Sequence, residues 1–327
     1  MNTKTKFSYP WTQMAVIAMA ACVATSSFAE GGERIAVFTK NQTNPFFQAV
    51  RLGADSAAKQ LNAKVTHYVP TKPDSIPEQM SQVEDVIVKK PDAIVFTPVD
   101  YKAMVPAVAK INAAKIPVVD VTDRSAGGQF VAFVGASDYQ LGMETGKYLI
   151  KALGGKGNVV VIEGVKGAIT SIDRVRGFND AAKQAPGIRV IASQPGNYQR
   201  LQALQVMENL MQSHPSIDGV FAANDAMASG VIEALEGANR KAQVVGINGS
   251  KEAIDAIKGG KMLASGDYNG FMQGCLAVMT AVRDLRKLPV QKEILFPAVV
   301  IEKSNYKPWE TPVESRSCPK WEDFVKP

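Results

Sequence analysis

Short apolar runs rich in β-branched residues recur along the chain, and longer polar–apolar stretches separate them. The runs lie at 35–38, 65–69, 93–96, 118–121, 131–134, 159–162, 188–192, 219–222, 244–247 and 262–264. Runs this apolar are typical of strands that are buried on both faces of a parallel sheet. The stretches between them have helical period, as the spacing of Ile76, Met80, Val83 and Ile87 illustrates. The pattern therefore predicts strands that alternate with helices, and the segment 75–78 resembles a capping box.

This many strands exceeds what one doubly wound layer usually holds, so we predict an α/β fold with two similar doubly wound parallel-sheet lobes. A hinge of several strands should join the lobes, with a ligand cleft between them. We expect the N-terminal lobe to comprise residues 30–136 and about 269–295. The C-terminal lobe should comprise residues 137–268 and about 296–327, which includes an irregular tail that begins near Pro308.

The N-terminus has the features of an export signal. Lys4 and Lys6 precede an apolar run at 14–23, and the segment 27–29 offers the small residues that a signal peptidase recognises. We therefore expect residues 1–29 to be a cleaved signal peptide and the protein to be periplasmic. Lipid attachment at Cys22 is the alternative, because small residues precede this cysteine.

Charge and cysteine content exclude several classes of function. Removal of residues 1–29 takes away Lys4 and Lys6 and no acidic residue, so the formal charge falls from +6 to +4. Both signs are scattered along the chain, which argues against a nucleic-acid partner. Beyond the signal, Cys275 and Cys318 either form a disulfide or remain two buried thiols. Two cysteines and two distant histidines do not make a zinc site, and we expect neither metal nor cofactor.

Candidate ligand-binding residues follow the predicted strands of the first lobe, since ligands bind beyond the carboxyl ends of parallel strands. After the first strand, Asn44 is placed to cap a helix whose first turn carries Phe46 and Phe47. Consecutive helical residues point about 100° apart, so at least one ring should be a platform for a ligand, although both could be core. Asp123 and Arg124 follow the fourth strand and suit a polyol, unless they form a surface ion pair.

The second lobe offers a similar set. Arg174 lies at the start of a predicted helix, and Tyr198 begins another. At the end of the strand at 219–222, we expect Asp225 to cap the next helix and Asn224 to present a free amide. Asn248, which follows the strand at 244–247, stands before a glycine at another strand end.

Several motifs occur together in one order along the chain: Asn-Pro-Phe-Phe at 44–47, Asp-Arg at 123–124, Ser-Gln-Pro at 193–195 and Phe-Ala-Ala-Asn-Asp at 221–225. In this order they resemble the bacterial periplasmic pentose- and hexose-binding proteins, most closely the ribose-binding type. These proteins share their fold with the effector-binding domains of lac-repressor-like regulators. The resemblance covers about residues 33–300.

The resemblance implies which residues line the sugar cleft. The matching positions are Asn44, Phe46, Phe47, Asp123, Arg124, Arg174 and Asn224. Tyr198 stands where the relatives have Phe. Asn248 replaces an aspartate that receives sugar hydroxyls, and Tyr268 occupies a position where a Gln is expected. A calcium site, known in glucose- and galactose-binding cousins, is not expected, because the segment 267–270 offers too few oxygen ligands.

The resemblance also implies a function. We expect a solute-binding protein that closes on a sugar or polyol and delivers it to a membrane ABC permease, with a chemoreceptor as a further candidate partner and the monomer as the working form. Arg124 and Arg174 against Asp123 leave one net positive charge, which keeps an acidic sugar open as the alternative ligand.

Enzymatic function has little support in the sequence. The dinucleotide fingerprint Gly-x-Gly-x-x-Gly does not follow the first strand, and the chain has no Gly-x-Ser-x-Gly elbow. We therefore expect no enzyme, with a sugar-active enzyme on the same fold class as a remaining alternative. A sugar-responsive repressor would carry a DNA-binding motif where this chain carries the export signal.

Overall fold

The computed structural model describes residues 1–3 and 32–325, so the expected signal peptide and its cleavage site lie almost entirely outside the described residues. The strands are β1 Arg34–Phe38, β2 Lys64–Tyr68, β3 Ala93–Phe96, β4 Val118–Val121, β5 Ala132–Ala136, β6 Lys156–Glu163, β7 Gly187–Pro195, β8 Gly219–Ala222, β9 Gln243–Ile247, β10 Ala264–Gly266, β11 Glu293–Phe296 and β12 Val300–Glu302. The helices are α1 Pro45–Leu61, α2 Ile76–Lys89, α3 Val105–Ala113, α4 Asp138–Ala152, α5 Ile169–Lys183, α6 Arg200–Ser213, α7 Asp225–Gly237, α8 Lys251–Lys258, α9 Gly270–Leu285 and α10 Trp321–Phe324. Among these residues, none of the helices combines the length and apolar character that a membrane crossing requires.

The strands form two six-stranded sheets, with the order β11-β5-β4-β3-β1-β2 in one and β12-β10-β9-β8-β6-β7 in the other. Every strand pairing is parallel except that of β12 with β10. Helices cover the sheets, and the central strands β3, β4 and β8 are fully buried, as their apolar composition predicts. The structure confirms two doubly wound lobes. The first lobe is the one built on β1–β5 and the second the one built on β6–β10.

The chain passes between the two sheets at three places. It leaves the first sheet after β5, and α4 then packs against α5 and β9 of the second lobe. It returns through residues 267–269, because β10 belongs to the second sheet while α9 packs against α1 and β4. It crosses a third time between β11 and β12, since these strands pair with β5 and β10 respectively.

Side-chain caps start five of the ten helices among the described residues. The side chain of Asn44 accepts a hydrogen bond from the amide of Phe46, which confirms the predicted cap of α1. The side chain of Ser75 accepts a hydrogen bond from the amide of Glu78. The carboxylate of Glu78, however, accepts hydrogen bonds from Thr71 and not from the amide of Ser75. The predicted capping box is therefore half formed, because a tighter acceptor arrangement with the preceding loop is available to Glu78.

The C-terminal tail, which we expected with the second lobe, contacts both lobes. Glu310 pairs with Lys258 of α8 at 2.6 Å in the second lobe. Farther on, Cys318 forms a disulfide with Cys275 of α9, and Trp321 packs under the guanidinium of Arg283 at 4.6 Å. The tail is thus a strap whose end is covalently attached to a helix of the first lobe.

A buried hydrogen-bond network ties three strand ends together in the second lobe. Asp225, the first residue of α7, accepts from the hydroxyl of Ser265 in β10 at 2.6 Å and from the amide of Ser250 at 2.8 Å. Ser250 in turn caps α8. Burial raises the pKa of Asp225 to about 6, against the opposing effect of these hydrogen bonds. The network fixes the loops that follow β8 and β9.

Removal of the disulfide should lower the free energy of unfolding. The bridge spans 43 residues, and loop-closure entropy for a loop of this length is worth about 4 kcal/mol. We expect C275A/C318A to lose about 2–4 kcal/mol in urea denaturation. The oxidised and reduced wild-type proteins serve as the matched pair, and equal urea midpoints for these two would contradict a stabilising bridge.

The stability of the wild-type protein should fall as pH rises through the range where Asp225 ionises. The group ionises near pH 4 in the unfolded chain and near pH 6 when folded, so the folded state holds its proton more tightly. The contribution of Asp225 to the free energy of unfolding is fully present below pH 4 and is lost by about pH 6, and its size is about 3 kcal/mol. Urea denaturation from pH 4 to 7.5 should show that the free energy of unfolding of the wild type, relative to that of D225N, falls as pH rises over this range. A difference between wild type and D225N that stays flat over this range would overturn the assignment.

Candidate functional site

A cavity lies between the lobes, at the carboxyl ends of both parallel sheets. Polar and aromatic side chains from the loops and helix starts after the strands form its wall. They are Lys40, Asn44, Phe46, Phe47, Thr122, Asp123, Thr170, Arg174, Tyr198, Asn224, Asn248 and Tyr268. Nine of the ten residues that the sequence analysis proposed are in this wall, and Arg124 is the exception.

The carboxylate of Asp123 lies at the centre of a chain of contacts that joins the lobes. Its Oδ2 is 2.8 Å from the Nζ of Lys40, and both side chains are 2% exposed. Its Oδ1 accepts from the hydroxyl of Thr170 in the second lobe at 3.1 Å. Thr170 accepts from the hydroxyl of Tyr198 at 3.0 Å. The two lobes are therefore in hydrogen-bond contact across the cavity, as in a closed form.

The structure corrects the role expected for Arg124. Its side chain lies at the surface, where the guanidinium covers the ring of Phe133 at 4.0 Å and pairs with Glu293 at 2.8 Å. Thr122 has a positive φ of 68°, and this turn directs Asp123 into the cavity and the next side chain away from it. The cation beside Asp123 is instead Lys40, which comes directly after Thr39 at the end of β1.

Arg174 is the buried cation of the second lobe. Its Nε donates to Asp138 at 2.8 Å, and its Nη1 donates to the carbonyl of Ala223 at 2.8 Å. The Oδ1 of Asn248 is also within 3.5 Å of Nη1. Burial raises the pKa of Asp138 to about 6, although the neighbouring Arg174 acts in the opposite direction. Arg174 is thus oriented from three sides and lines the cavity.

The roles expected for Asn224 and Asp225 are partly exchanged. Asn224 is the cap of α7, since its Oδ1 accepts from the amide of Met227 at 2.9 Å, while Asp225 is buried in the network with Ser265. The Nδ2 of Asn224 nevertheless remains buried without a hydrogen-bond partner among the described residues. The amide group is therefore free to donate into the cavity, as predicted, while its oxygen serves the helix.

Aromatic rings form much of the remaining wall. Phe46 and Phe47 are nearly perpendicular, with centroids 5.2 Å apart, and Phe46 also stacks against Tyr268 at 5.1 Å. Tyr198 fits because residue 164 is glycine: a Cβ there would lie 2.2 Å from the tyrosine ring. Phe46, Phe47 and Tyr198 all line the cavity, so their rings are available to contact the C–H faces of a ligand.

Three of the eleven non-glycine residues with positive φ among the described residues lie in this wall. Thr122, Tyr198 and Asn248 line the cavity and have φ values of 68°, 58° and 146°, in the region that favours glycine. Such conformations persist only where the surrounding structure imposes them, and they are frequent at ligand sites. In the loop after β9 and in the turn after β4, the strain aims side chains at the cavity.

Each cation of the cavity wall has a carboxylate partner. Lys40 and Arg174 are the cations of the wall, and Asp123 and Asp138 are their ion-pair partners. Burial raises the pKa of Asp74, and the nearby Lys40 acts in the opposite direction. The net positive charge that Arg124 would have added to the wall is absent, because this residue lies outside it.

Lys40, Thr122 and Thr170 are site residues that the sequence analysis did not identify. Lys40 is the second residue after β1, so its position near a strand end was the available signal. Thr122 precedes Asp123 and Thr170 follows the start of α5, but a threonine at such places is common and carries little information. Among residues 32–325, no three His, Cys, Asp or Glu side chains are grouped so that they could hold a metal ion.

The chain is similar to known proteins over most of its length. A family model for a periplasmic binding protein domain matches residues 35–288. The ribose import binding protein of Bacillus subtilis is 38% identical over 255 residues, which cover 78% of this chain and 82% of the relative. The D-apiose import binding protein of Paraburkholderia graminis is 34% identical and covers 77% and 80% of the two chains.

Solved structures give the same result. A periplasmic solute-binding protein from Actinobacillus succinogenes with bound D-allose has a TM-score of 0.80 and 35% identity, and covers 84% of this chain and 99% of its own. A solute-binding protein from Bacillus halodurans with bound myo-inositol also has a TM-score of 0.80, at 27% identity, over 86% of this chain and 98% of its own. With two parallel-sheet lobes around a polar and aromatic cavity, this chain belongs to the family of periplasmic binding proteins.

Proposed function

We propose that this protein captures a neutral sugar or polyol by closing its two lobes and delivers it to an ABC importer. The names of its relatives as import binding proteins for ribose and D-apiose support this class of function. Sugar-bound structures of similar fold, including one with D-allose, support it further. Only the closed form makes both sets of contacts, so ligand binding selects closure. The relatives are binding proteins, and we propose binding without catalysis.

The observation that carries this proposal is the cavity shared by the two lobes, in which each cation has a carboxylate partner. Ion pairs cancel the charges of Lys40 and Arg174, while the amide of Asn224 keeps an unused donor. Hydroxyl groups both donate and accept, so a polyol can pair with the amide, the ammonium and the carboxylate of Asp123 together. Leaving a buried donor unpaired costs about 1–3 kcal/mol, which a ligand hydroxyl would recover on closure.

We propose the wall residues as the ligand-binding set, without Arg124. The residues proposed from the sequence that remain are Asn44, Phe46, Phe47, Asp123, Arg174, Tyr198, Asn224, Asn248 and Tyr268. Lys40 and Thr170 join them, because both contact Asp123 directly. Phe47 and Tyr198 would stack on the ligand, and the polar members would bind its hydroxyls.

An acidic sugar is the second candidate ligand. The wall is rich in donors, which suits a carboxylate. The balanced charges argue against it, because a ligand anion would add an uncompensated charge to a buried site. We therefore rank the neutral ligand first.

The processing of the N-terminus, the oligomeric state and the protein partners belong to the same proposal. We propose that residues 1–29 are removed on export, so that the periplasmic protein begins at Glu30, and that it acts as a monomer. The ABC permease would recognise the closed form, and a chemoreceptor is a second candidate partner. The intact mass of the exported protein distinguishes cleavage after Ala29 from lipid attachment at Cys22.

Thermal unfolding should identify the ligand class. We expect one or a few neutral pentoses, hexoses or polyols to raise the melting temperature, because a ligand at 100 times its Kd adds about 2.7 kcal/mol. Sugar acids and sugar phosphates in the same panel should have smaller effects. A uronate or aldonate that exceeds every neutral compound would replace the neutral ligand with the acidic one, and no shift with any compound would refute sugar binding.

Two cations near Asp123 provide a matched test of the site. K40M should weaken the binding of the tightest-binding compound of the panel by about 10- to 100-fold, because the ligand loses its charge-assisted hydrogen bond with the ammonium of Lys40. R124M should leave its Kd unchanged, since Arg124 pairs with Glu293 outside the cavity. Calorimetric titration of both variants measures this difference, with urea denaturation to verify that each is folded. Equal losses in the two variants, or a loss in R124M alone, would refute the wall assigned here.

A further inference from the structure

Tyr268 lies where the chain returns from the second lobe to the first, between β10 and α9, and it forms the hinge-side part of the cavity wall. Its side chain is 1% exposed and is the largest of the fully buried ones among the described residues. At this position the ribose-binding relatives are expected to have a Gln. The chain therefore places an aromatic ring where a smaller, polar side chain would leave both space and hydrogen-bonding groups.

Contacts from both lobes hold this ring in place. Phe46 of the first lobe stacks on it at 5.1 Å, and the guanidinium of Arg174 in the second lobe lies 4.2 Å from its centre. Both contacts use an aromatic face, so the ring is packed against side chains of both lobes while it lines the cavity. A ring covered in this way cannot move aside for a larger ligand without breaking contacts in both lobes.

The hydroxyl group of Tyr268 is also occupied. It donates to the carbonyl of Thr122 at 2.8 Å and lies 3.0 Å from Oδ2 of Asp138. Thr122 is held in its left-handed conformation in part by Gln273, which accepts from the threonine hydroxyl and donates to the carbonyl of Tyr268. A phenol has one proton, so this hydroxyl has no donor left for a ligand.

We propose that Tyr268 is a specificity-determining residue that limits the ligand to a sugar or polyol without an exocyclic hydroxymethyl group at the hinge end of the cavity. The inference rests on the proposed function and names the ligand class within it. A hydroxymethyl group at this end would meet a ring held in place and would find no free polar partner on Tyr268. Pentopyranoses and polyols of four or five carbons avoid both penalties.

Pairs of sugars that differ only by this group provide the test. The pairs are D-ribose with D-allose, D-xylose with D-glucose, and L-arabinose with D-galactose, each titrated into the wild-type protein by calorimetry. One additional carbon group in a pocket of fixed shape is worth about 10- to 200-fold in discrimination. We expect the five-carbon member of the bound pair to bind at least about tenfold more tightly.

Two variants separate a size limit from a general role in closure. Y268F keeps the ring and loses the hydroxyl contacts with Thr122 and Asp138, so it should weaken both members of the pair equally and preserve their ratio. Y268Q removes the ring and restores an amide, so the six-carbon member should gain and the ratio should fall toward one. A residue needed only for closure would change both affinities by the same factor in both variants.

The ratio of the two affinities within a sugar pair distinguishes the possible outcomes. A wild-type ratio below tenfold, or an unchanged ratio in folded Y268Q, overturns the size limit while sugar binding stands. A shift of the ratio in Y268F overturns it as well, since the hydroxyl and not the ring would then discriminate. If Y268Q does not fold, the wild-type and Y268F ratios decide the question. If wild type binds no member of any pair and no polyol, the proposed function itself fails.

Discussion

The closed arrangement depends on how the carboxylate of Asp123 is paired once it has left water. This group is 1% exposed, and a buried carboxylate is stable only when charged or hydrogen-bonding partners surround it. Lys40 supplies the charge from the same lobe, and Thr170 supplies a hydroxyl from the other lobe. Because one partner comes from across the cleft, the pairing of Asp123 is complete only when the lobes are together.

Parallel sheets concentrate such groups in one place. The parallel strands of each sheet have their carboxyl ends at one edge, beside the cleft. The following helices begin at this edge, and their first amides need hydrogen-bond acceptors. Asn224 serves both needs, since its oxygen caps α7 and its nitrogen faces the cavity. Beneath it, Asp225 ties the loops after β8 and β9 to β10. The fold and the site therefore use the same side chains, which explains why strain is tolerated at Tyr198 and Asn248.

The hinge side is ordered differently. Three crossings connect the lobes, and the second carries Tyr268, which contacts residues of both. Immediately after it, α9 is attached to the C-terminal tail through Cys275 and Cys318. The helix that follows the crossing is thus anchored covalently in the first lobe, whereas the crossing itself is held by stacking and hydrogen bonds.

Sequence alone determined the fold class and most of the wall. Buried parallel strands must be apolar on both faces, so their runs are visible in the sequence, and the residues that follow them must lie at one edge. The short edge strands β11 and β12 were not predicted, because partly exposed runs of four and three residues give little hydrophobic pattern.

Tertiary structure decided which polar neighbour points inward. The positive φ of Thr122 sends Asp123 into the cleft and Arg124 to the surface, so that Lys40 from a different strand becomes the partner of the carboxylate. Asn224 and Asp225 are equally good caps in isolation, and burial against Ser265 assigned their roles. Residue types and order are local properties, whereas side-chain direction and pairing depend on backbone conformation and on neighbours distant in the chain.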